Sequence, residues 1–278
     1  MNAIAGSKGL NGNAEVNGTR IAYDLAGSGP AVLLLHAGIG DRRMWNAQGP
    51  AFAEHFTVIR FDARGFGETR KPDAPFAPYA DAIALLDHLG ISRAHFVDVS
   101  MGIQTAIEAA IAAPGRVSAL VSVAARTGTP ASSSLRAGWD RVNELYEAGA
   151  IAGAVEYELR MWADGPDRSP DAVDPEIREL VREMNAALFT RDDDAGEEVP
   201  LDPPVSERLA EISAPTLIVY GDKDIMDVRQ AAGPLAAAIP DARQAVIPDA
   251  AHLPQMERPE VFNEIVMWFL LGLDSRRD

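Results

Sequence analysis

Short, almost continuous apolar runs alternate with segments of helical periodicity along most of the chain, and this alternation limits the fold more than any other feature. The runs cover residues 31–35 (AVLLL), 56–61 (FTVIRF), 94–99 (AHFVDV), 118–124, 214–220 and 244–247. Strands that are apolar on both faces are typical of a parallel sheet covered by helices. A hairpin precedes them, because Asn17-Gly18 separates two β-prone runs. The sequence therefore predicts an α/β fold, a mostly parallel, doubly wound, eight-stranded sheet flanked by helices, with a crossover helix at 44–55.

The pattern changes between residues 127 and 205. This segment has helical spacing, proline-containing breaks and an acidic run at 191–198, and none of its runs is typical of a strand. We interpret it as an inserted helical cap, or lid, so that residues 1–126 and 206–278 form the core domain. A length of 278 residues suits a single α/β domain with such an insertion.

Composition restricts the partners of the chain. Lys and Arg number 25 against 41 Asp and Glu, which gives a formal charge of −16 and opposes binding to nucleic acid or to an anionic membrane. Cysteine is absent, which excludes disulfides within the chain and a cysteine nucleophile. The first twelve residues lack the apolar core of a secretory signal, and we interpret them as a loose leader. We expect a soluble, cytoplasmic protein that acts on a small molecule, as a monomer or a homodimer.

The run at 94–99 leads directly into Ser100-Met101-Gly102 and then into an alanine-rich helix. A serine on such a strand-to-helix turn exposes its hydroxyl at the carboxyl edge of the sheet, beside the positive end of the helix. Ser100 is therefore a candidate nucleophile, with a simple helix N-cap as the alternative. Asp98 stands two positions before it, where glycine is usual. A buried Asp98 needs a hydrogen-bond donor or a raised pKa, and we expect it to bond behind the turn and shape the pocket.

A serine nucleophile needs a base and an acid that orients the base. His252 follows the last strand, so we expect it at the same sheet edge as Ser100. Asp224 follows the preceding strand and has the reach that the acid requires, while Asp222 and Asp227 are the alternatives. The simpler interpretations are an ordinary loop histidine and a solvated turn carboxylate.

Five landmarks follow one another in order: His36-Ala37-Gly38, Asp62-Ala63-Arg64-Gly65-Phe66-Gly67, Ser100-Met101-Gly102, Gly221-Asp222-Lys223-Asp224, and Ala251-His252 followed by Glu257-Arg258-Pro259. In this arrangement the chain resembles the α/β-hydrolase fold superfamily, in particular its capped esterase, lactonase and non-haem haloperoxidase-like branch. Three positions depart from the family pattern, because alanine or isoleucine stands where glycine is usual: Ala37, Ile103 and Ala251.

The resemblance implies a catalytic triad in which Ser100 is the nucleophile, His252 the general base and acid, and Asp224 the orienting carboxylate. It also implies an oxyanion hole built from the backbone N–H groups of Gly38 and Met101. Removing one such donor typically lowers kcat about 10²–10³-fold, so these two amides matter as much as many side chains.

The substrate pocket is less readable. Ile39 and the cap residues Trp139, Met161 and Trp162 are candidates for its lining, although residues at such helical spacing are more often the core of a cap. His36 is expected to orient the oxyanion loop through a hydrogen bond. The sequence contains no metal-ligand cluster and no phosphate-binding loop, and we expect neither a metal nor a cofactor.

These features predict a serine hydrolase that cleaves a carboxylic ester, or a lactone, of a small molecule through an acyl-enzyme. Two alternatives stay open. One is another reaction on the same fold, such as perhydrolysis or haloperoxidation, carbon–carbon bond hydrolysis or cofactor-free oxygenation; the other is a non-enzymatic binding protein. Because the surface is acidic, we expect neutral or cationic esters to be preferred over polyanionic ones unless the pocket is locally screened.

Overall fold

One eight-stranded sheet forms the centre of the protein, in a computed structural model that describes residues 9–191 and 196–275. Its strands are β1 (Leu10–Val16), β2 (Thr19–Gly27), β3 (Ala31–Leu35), β4 (Thr57–Phe61), β5 (Ala94–Val99), β6 (Val117–Val123), β7 (Thr216–Gly221) and β8 (Ala242–Ile247). They lie in the order β1-β2-β4-β3-β5-β6-β7-β8. Strand β2 is antiparallel to β1 and to β4, and all other neighbours are parallel. The predicted mostly parallel sheet is confirmed.

Helices cover both faces of this sheet. They are α1 (Gln48–Ala53), α2 (Pro78–His88), α3 (Gly102–Ala112), α4 (Ser133–Glu147), α5 (Ile151–Glu158), α6 (Pro175–Phe189), α7 (Met226–Ala238), α8 (Pro254–Glu257) and α9 (Pro259–Asp274). Successive strand side chains point to opposite faces. Val32 and Leu34 of β3 therefore pack in the apolar cluster that contains residues of α1 and α9. Leu33 and Leu35 pack in the cluster that contains residues of α2 and α3.

Two local predictions differ from the structure. The crossover helix expected at 44–55 is divided into a 3₁₀ turn, Arg42–Trp45, and the short helix α1. Pro50 explains the division, because in a continuous helix its ring would clash with the carbonyl group four residues earlier. The expected leader is also shorter than twelve residues: Leu10 pairs with Leu25 in the antiparallel β1–β2 ladder. Residues 1–8 lie outside the described residues.

The segment between β6 and β7 contains α4, α5, a π-helical turn (Leu159–Asp164) and α6, and no strand of the sheet within its described part. Arg191 joins it to the core by donating hydrogen bonds to the carbonyl groups of Gly67 (2.7 Å) and Thr69 (2.9 Å). Of the acidic run at 191–198, residues 192–195 lie outside the description, and Glu198 pairs with Phe76. Across the described chain, no helix combines the length and the apolar character needed to span a bilayer.

Candidate active site

The turn between β5 and α3 holds Ser100 in a left-handed backbone conformation, with φ at 55°. This region is costly for a residue with a Cβ and persists only where the surroundings enforce it. The Ser100 N–H donates to the carbonyl of Val123 at the end of β6 (2.9 Å), which fixes the turn to the neighbouring strand. The Ser100 side chain consequently stands at the carboxyl edge of the sheet, directly before the first turn of α3.

Three side chains from three different loops form a hydrogen-bond chain at this edge. Ser100 Oγ lies 2.9 Å from His252 Nε2, and His252 Nδ1 lies 3.0 Å from both carboxylate oxygens of Asp224. Asp224 and His252 are buried, and the N–H of Ile225 donates to Asp224 Oδ1 (2.7 Å). With Nδ1–H donating a hydrogen bond to the Asp224 carboxylate, Nε2 is free to accept the proton of the serine hydroxyl.

The two alternative acids have other partners. Asp222 accepts a hydrogen bond from the N–H of Asp249 (2.7 Å) and so ties the β7 loop to the loop that carries His252. Asp227 accepts from the N–H and the hydroxyl of Ser132 (2.7 and 2.9 Å), at the N-terminus of α4. The structure therefore brings only Asp224, of these three carboxylates, into contact with the histidine ring.

Two backbone N–H groups border the serine. A Cβ built on Gly38 would lie 3.5 Å from the Met101 side chain, so the two residues are neighbours. Within residues 9–191 and 196–275, neither the Gly38 N–H nor the Met101 N–H has a hydrogen-bond acceptor. Such donors beside a nucleophile can stabilise the oxyanion that forms on a carbonyl substrate.

His36 holds the loop that carries Gly38. Its Nε2 accepts from the N–H of Ala63 (3.0 Å), and its Nδ1 donates to the carbonyl of Ala37 (2.9 Å). Burial lowers the pKa of His36, against the hydrogen bond to Ala37 and nearby carboxylates. A neutral ring that donates on one side and accepts on the other fits the orienting role expected for this histidine.

Asp98 lies beneath the serine turn and is fully buried. Its Oδ2 accepts from the hydroxyl of Ser122 on β6 (3.1 Å), while Oδ1 has no hydrogen-bond partner among the described residues. Burial raises the pKa of Asp98 well above its usual range, although hydrogen bonds from Ser122 and Val123 act in the opposite direction. The side chain does not reach the Ser100–His252–Asp224 chain of hydrogen bonds.

A cavity of about 450 Å³ opens above Ser100, between the sheet edge and the helical segment that connects β6 and β7. Of the four pocket residues expected from the sequence, Ile39, Trp139 and Trp162 line it, whereas Met161 does not. Met161 lines a neighbouring cavity of about 630 Å³, where its methyl group faces Gly138. Met161 and Trp162 are consecutive residues of the π-helical turn, so their side chains leave it in different directions.

Trp162 also contacts His252 directly, because the two rings lie against each other with 4.5 Å between centroids. The π-helical turn is fixed to the histidine loop through two further residues. Arg168 donates to the carbonyl of Asp164 (2.5 Å) and to Glu257 (2.6 Å), and Glu257 accepts from the N–H of Ala251 (2.7 Å). The segment between β6 and β7 thus helps to position the loop that carries His252.

Sequence reasoning misses this contact of Arg168 with Glu257, which we call the clamp. It also misses two charged residues of the cavity wall, Arg126 and Glu158. The landmark Glu257-Arg258-Pro259 marks the region of Glu257 but not its partner in the cap. Arg126 lies three residues after the end of β6, and a position near the carboxyl end of a strand that neighbours the Ser100 strand is the one signal that could have indicated it.

Comparison with known proteins gives consistent results. The sequence profile described as the alpha/beta hydrolase family matches residues 32–265. The chain is similar to a protein of Mycobacterium tuberculosis that is provisionally named a non-heme bromoperoxidase, with 30% identity over 264 residues, covering 92% of this chain and 99% of the relative. It is also similar to 3-oxoadipate enol-lactonase 1 of Acinetobacter baylyi, with 27% identity over 277 residues and 97% coverage of both chains.

Among solved structures, the chain resembles the enol-lactonase from Burkholderia xenovorans LB400 with a TM-score of 0.75 and 25% sequence identity. The match covers 93% of this chain and 99% of the enol-lactonase. Together with the sheet order, these matches confirm the predicted fold class.

Proposed function

The chain belongs to the alpha/beta hydrolase family, and on this premise we propose that it is a serine hydrolase that cleaves a carboxylic ester or a lactone of a small molecule. The observation that carries the proposal is the hydrogen-bond chain from Asp224 through His252 to the strained Ser100. Relatives named as enol-lactonases support the same reaction class.

In the proposed acylation, Ser100 Oγ attacks the substrate carbonyl carbon while His252 Nε2 takes the hydroxyl proton. The oxyanion accepts hydrogen bonds from the Gly38 and Met101 N–H groups. When the tetrahedral intermediate collapses, the imidazolium returns the proton to the leaving alkoxide, and the acyl group stays on Ser100. With a lactone the leaving hydroxyl remains part of the acyl chain.

In the proposed deacylation, His252 removes a proton from a water molecule, whose oxygen attacks the acyl carbonyl in the same oxyanion hole. The proton then passes to Ser100 Oγ as the ester bond breaks, and a carboxylic acid is released. Asp224 remains ionised throughout and stabilises the imidazolium that forms in both halves of the reaction.

The test is hydrolysis of a p-nitrophenyl ester chain-length panel and a lactone series by the wild type and by Ser100→Ala. The matched control is Ser134→Ala, which removes an exposed hydroxyl on α4. We expect Ser100→Ala to lower kcat by about 10⁴-fold or more and to abolish labelling by an organophosphonate, with Ser134→Ala unchanged. Wild-type hydrolysis by Ser100→Ala would refute the assignment.

A second candidate is perhydrolysis at the same residues, for which the similarity to a provisionally named bromoperoxidase is the supporting observation. Hydrogen peroxide would replace water in the attack on the acyl-enzyme, so that a peracid is released. A peracid assay with and without peroxide distinguishes the two, since hydrolysis alone produces no oxidant.

A further inference from the structure

A guanidinium group lies in the wall of the cavity that contains Ser100. Arg126 follows β6 where the chain leaves the sheet for the cap, and it lines the same cavity as the nucleophile. Its Nη1 donates to the carbonyl of Thr129 (2.8 Å), and its Cζ lies 5.5 Å from the centroid of the Trp139 ring. These two contacts orient the group while most of its five N–H donors stay available.

The partners of Arg126 differ from those of three other arginines of this protein that are buried or partly buried. Arg64 pairs with Asp81, Arg168 with Glu257 and Arg178 with Asp164. Within residues 9–191 and 196–275, no carboxylate lies within salt-bridge distance of Arg126. Carboxylates outnumber basic residues by 41 to 25 in this chain, so a guanidinium without one, beside the nucleophile, indicates that its counter-ion comes from outside the protein.

We propose that Arg126 binds a carboxylate of the substrate, so that the substrate is an ester or lactone that also carries a carboxylate group. This inference rests on the proposed hydrolase function, which it makes specific. The planar fork of a guanidinium matches a carboxylate with two parallel hydrogen bonds. The cavity therefore selects in the opposite direction to the net charge of −16, which by itself favours neutral or cationic esters.

Glu158, at the end of α5, lines the same cavity and acts against such a substrate when it is ionised. Burial raises the pKa of Glu158, against a hydrogen bond from the Asn185 side chain, which lies 2.5 Å from Glu158 Oε2. Because an ionised Glu158 repels an anionic substrate, neutralising Glu158 should favour such a substrate, whereas neutralising Arg126 should disfavour it. A cationic substrate would reverse both signs, so the two variants together identify the charge of the substrate.

The kinetic experiment uses p-nitrophenyl half-esters of six- and eight-carbon dicarboxylic acids. Each is compared with the diester in which the free carboxylate is converted to a methyl ester, so that the acyl chain has the same length and no charge. The readout is kcat/KM for the half-ester divided by kcat/KM for the diester. We expect Arg126→Met to lower this ratio by about 10- to 100-fold, the range for a lost charged hydrogen bond, and Glu158→Gln to raise it. Arg20→Met removes the same charge from an exposed position on β2 and should leave the ratio unchanged.

Binding provides a second arm that does not depend on turnover. Calorimetric titration of the monomethyl ester of the eight-carbon diacid into Ser100→Ala, and into Ser100→Ala combined with Arg126→Met, measures the carboxylate contact alone. Suppose that wild type hydrolyses neither the p-nitrophenyl half-ester nor the diester, but that Ser100→Ala binds the monomethyl ester and loses this affinity when Arg126→Met is added. The hydrolase proposal then fails and the carboxylate site stands.

The inference is overturned if Arg126→Met leaves both the kinetic ratio and the affinity unchanged, or if Glu158→Gln lowers the ratio. Should Arg126→Met fail to fold by circular dichroism, Arg126→Lys replaces it, because lysine keeps the charge but not the fork. That variant is expected to retain part of the preference, and an unchanged ratio in Arg126→Lys would then count against bidentate binding.

Discussion

Gly102→Ala tests whether the serine turn and the oxyanion loop form one packed unit. Gly102 is the first residue of α3, so helix propensity favours alanine there by up to about 1 kcal/mol. A Cβ at this position, however, would lie 2.9 Å from Leu35 Cβ, 3.0 Å from the Leu35 carbonyl oxygen and 3.1 Å from the His36 carbonyl oxygen. Backbone atoms cannot rotate away as a side chain can, so α3 or the end of β3 must move.

The size of the effect follows from these contacts. Overpacking costs about 1–3 kcal/mol, and subtracting a propensity gain of about 1 kcal/mol leaves a net loss in the free energy of unfolding of about 0–2 kcal/mol. The end of β3 leads into Gly38, while α3 carries Met101, so the displacement separates the two oxyanion donors. We expect kcat to fall by about 10²-fold, the order found for a 1 Å misplacement or a lost donor, with a smaller change in KM.

The assays are urea unfolding, with midpoint and slope compared, and kcat for a short p-nitrophenyl ester. The control is Gly272→Ala in α9, where nothing lies within 4 Å of the added Cβ. It should stabilise the protein by about 0.5–1 kcal/mol and leave kcat unchanged. If Gly102→Ala behaves like Gly272→Ala, the reasoning from close packing at the turn is refuted.

Three further substitutions have defined outcomes. Burial raises the folded-state pKa of Asp98. Wild type therefore loses stability as the pH rises from the unfolded-state pKa of about 3.9 towards the folded-state pKa, by about 1.4 kcal/mol per unit of difference between the two. Asp98→Asn removes the ionisable group and should raise the urea midpoint at pH 7, and less so near pH 4. Asp224→Asn should lower kcat by about 10⁴-fold, whereas a matched Asp222→Asn should cost less than about tenfold. Arg168→Met leaves Glu257 buried without its partner and should lower the free energy of unfolding by about 3–5 kcal/mol, a loss that added Glu257→Gln partly restores. An unaltered urea midpoint in Arg168→Met would contradict the clamp.

The sheet was predictable because its strands are short, apolar on both faces and bounded by turn residues, a pattern that local sequence displays. The proximity of Ser100, Asp224 and His252 was predictable for a topological reason, since the carboxyl ends of parallel strands meet at one edge. The predicted helix at 44–55 is wrong because the missing N–H and bulky ring of Pro50, and not the apolar spacing, decide the local conformation.

Other features depend on contacts that no local pattern contains. Helical spacing makes both Met161 and Trp162 candidates for the cavity lining, but consecutive side chains on a helical turn point in different directions, and only Trp162 reaches the cavity. Arg126 matters because it has no carboxylate partner among the described residues. The sequence cannot show this, because it depends on how α4, α5 and the loop after β6 pack together. The sequence predicts which groups are present; tertiary packing decides which of them are neutralised.

The acidic surface and Arg126 in the cavity wall act on the substrate at different distances, so their effects respond differently to salt concentration. Surface charges more than about 8–10 Å from the substrate are screened at physiological ionic strength, whereas a partly buried contact is screened less. A surface of net charge −16 lowers the local concentration of an anionic ester at low salt, so kcat/KM for the half-ester should rise between 0.05 and 0.5 M NaCl. The methyl diester, measured in parallel, should change little. In Arg126→Met the rise should be at least as large, since no attractive contact is left to weaken. A fall of equal size in both proteins would contradict the repulsive surface and would show that the salt-sensitive attraction does not come from Arg126.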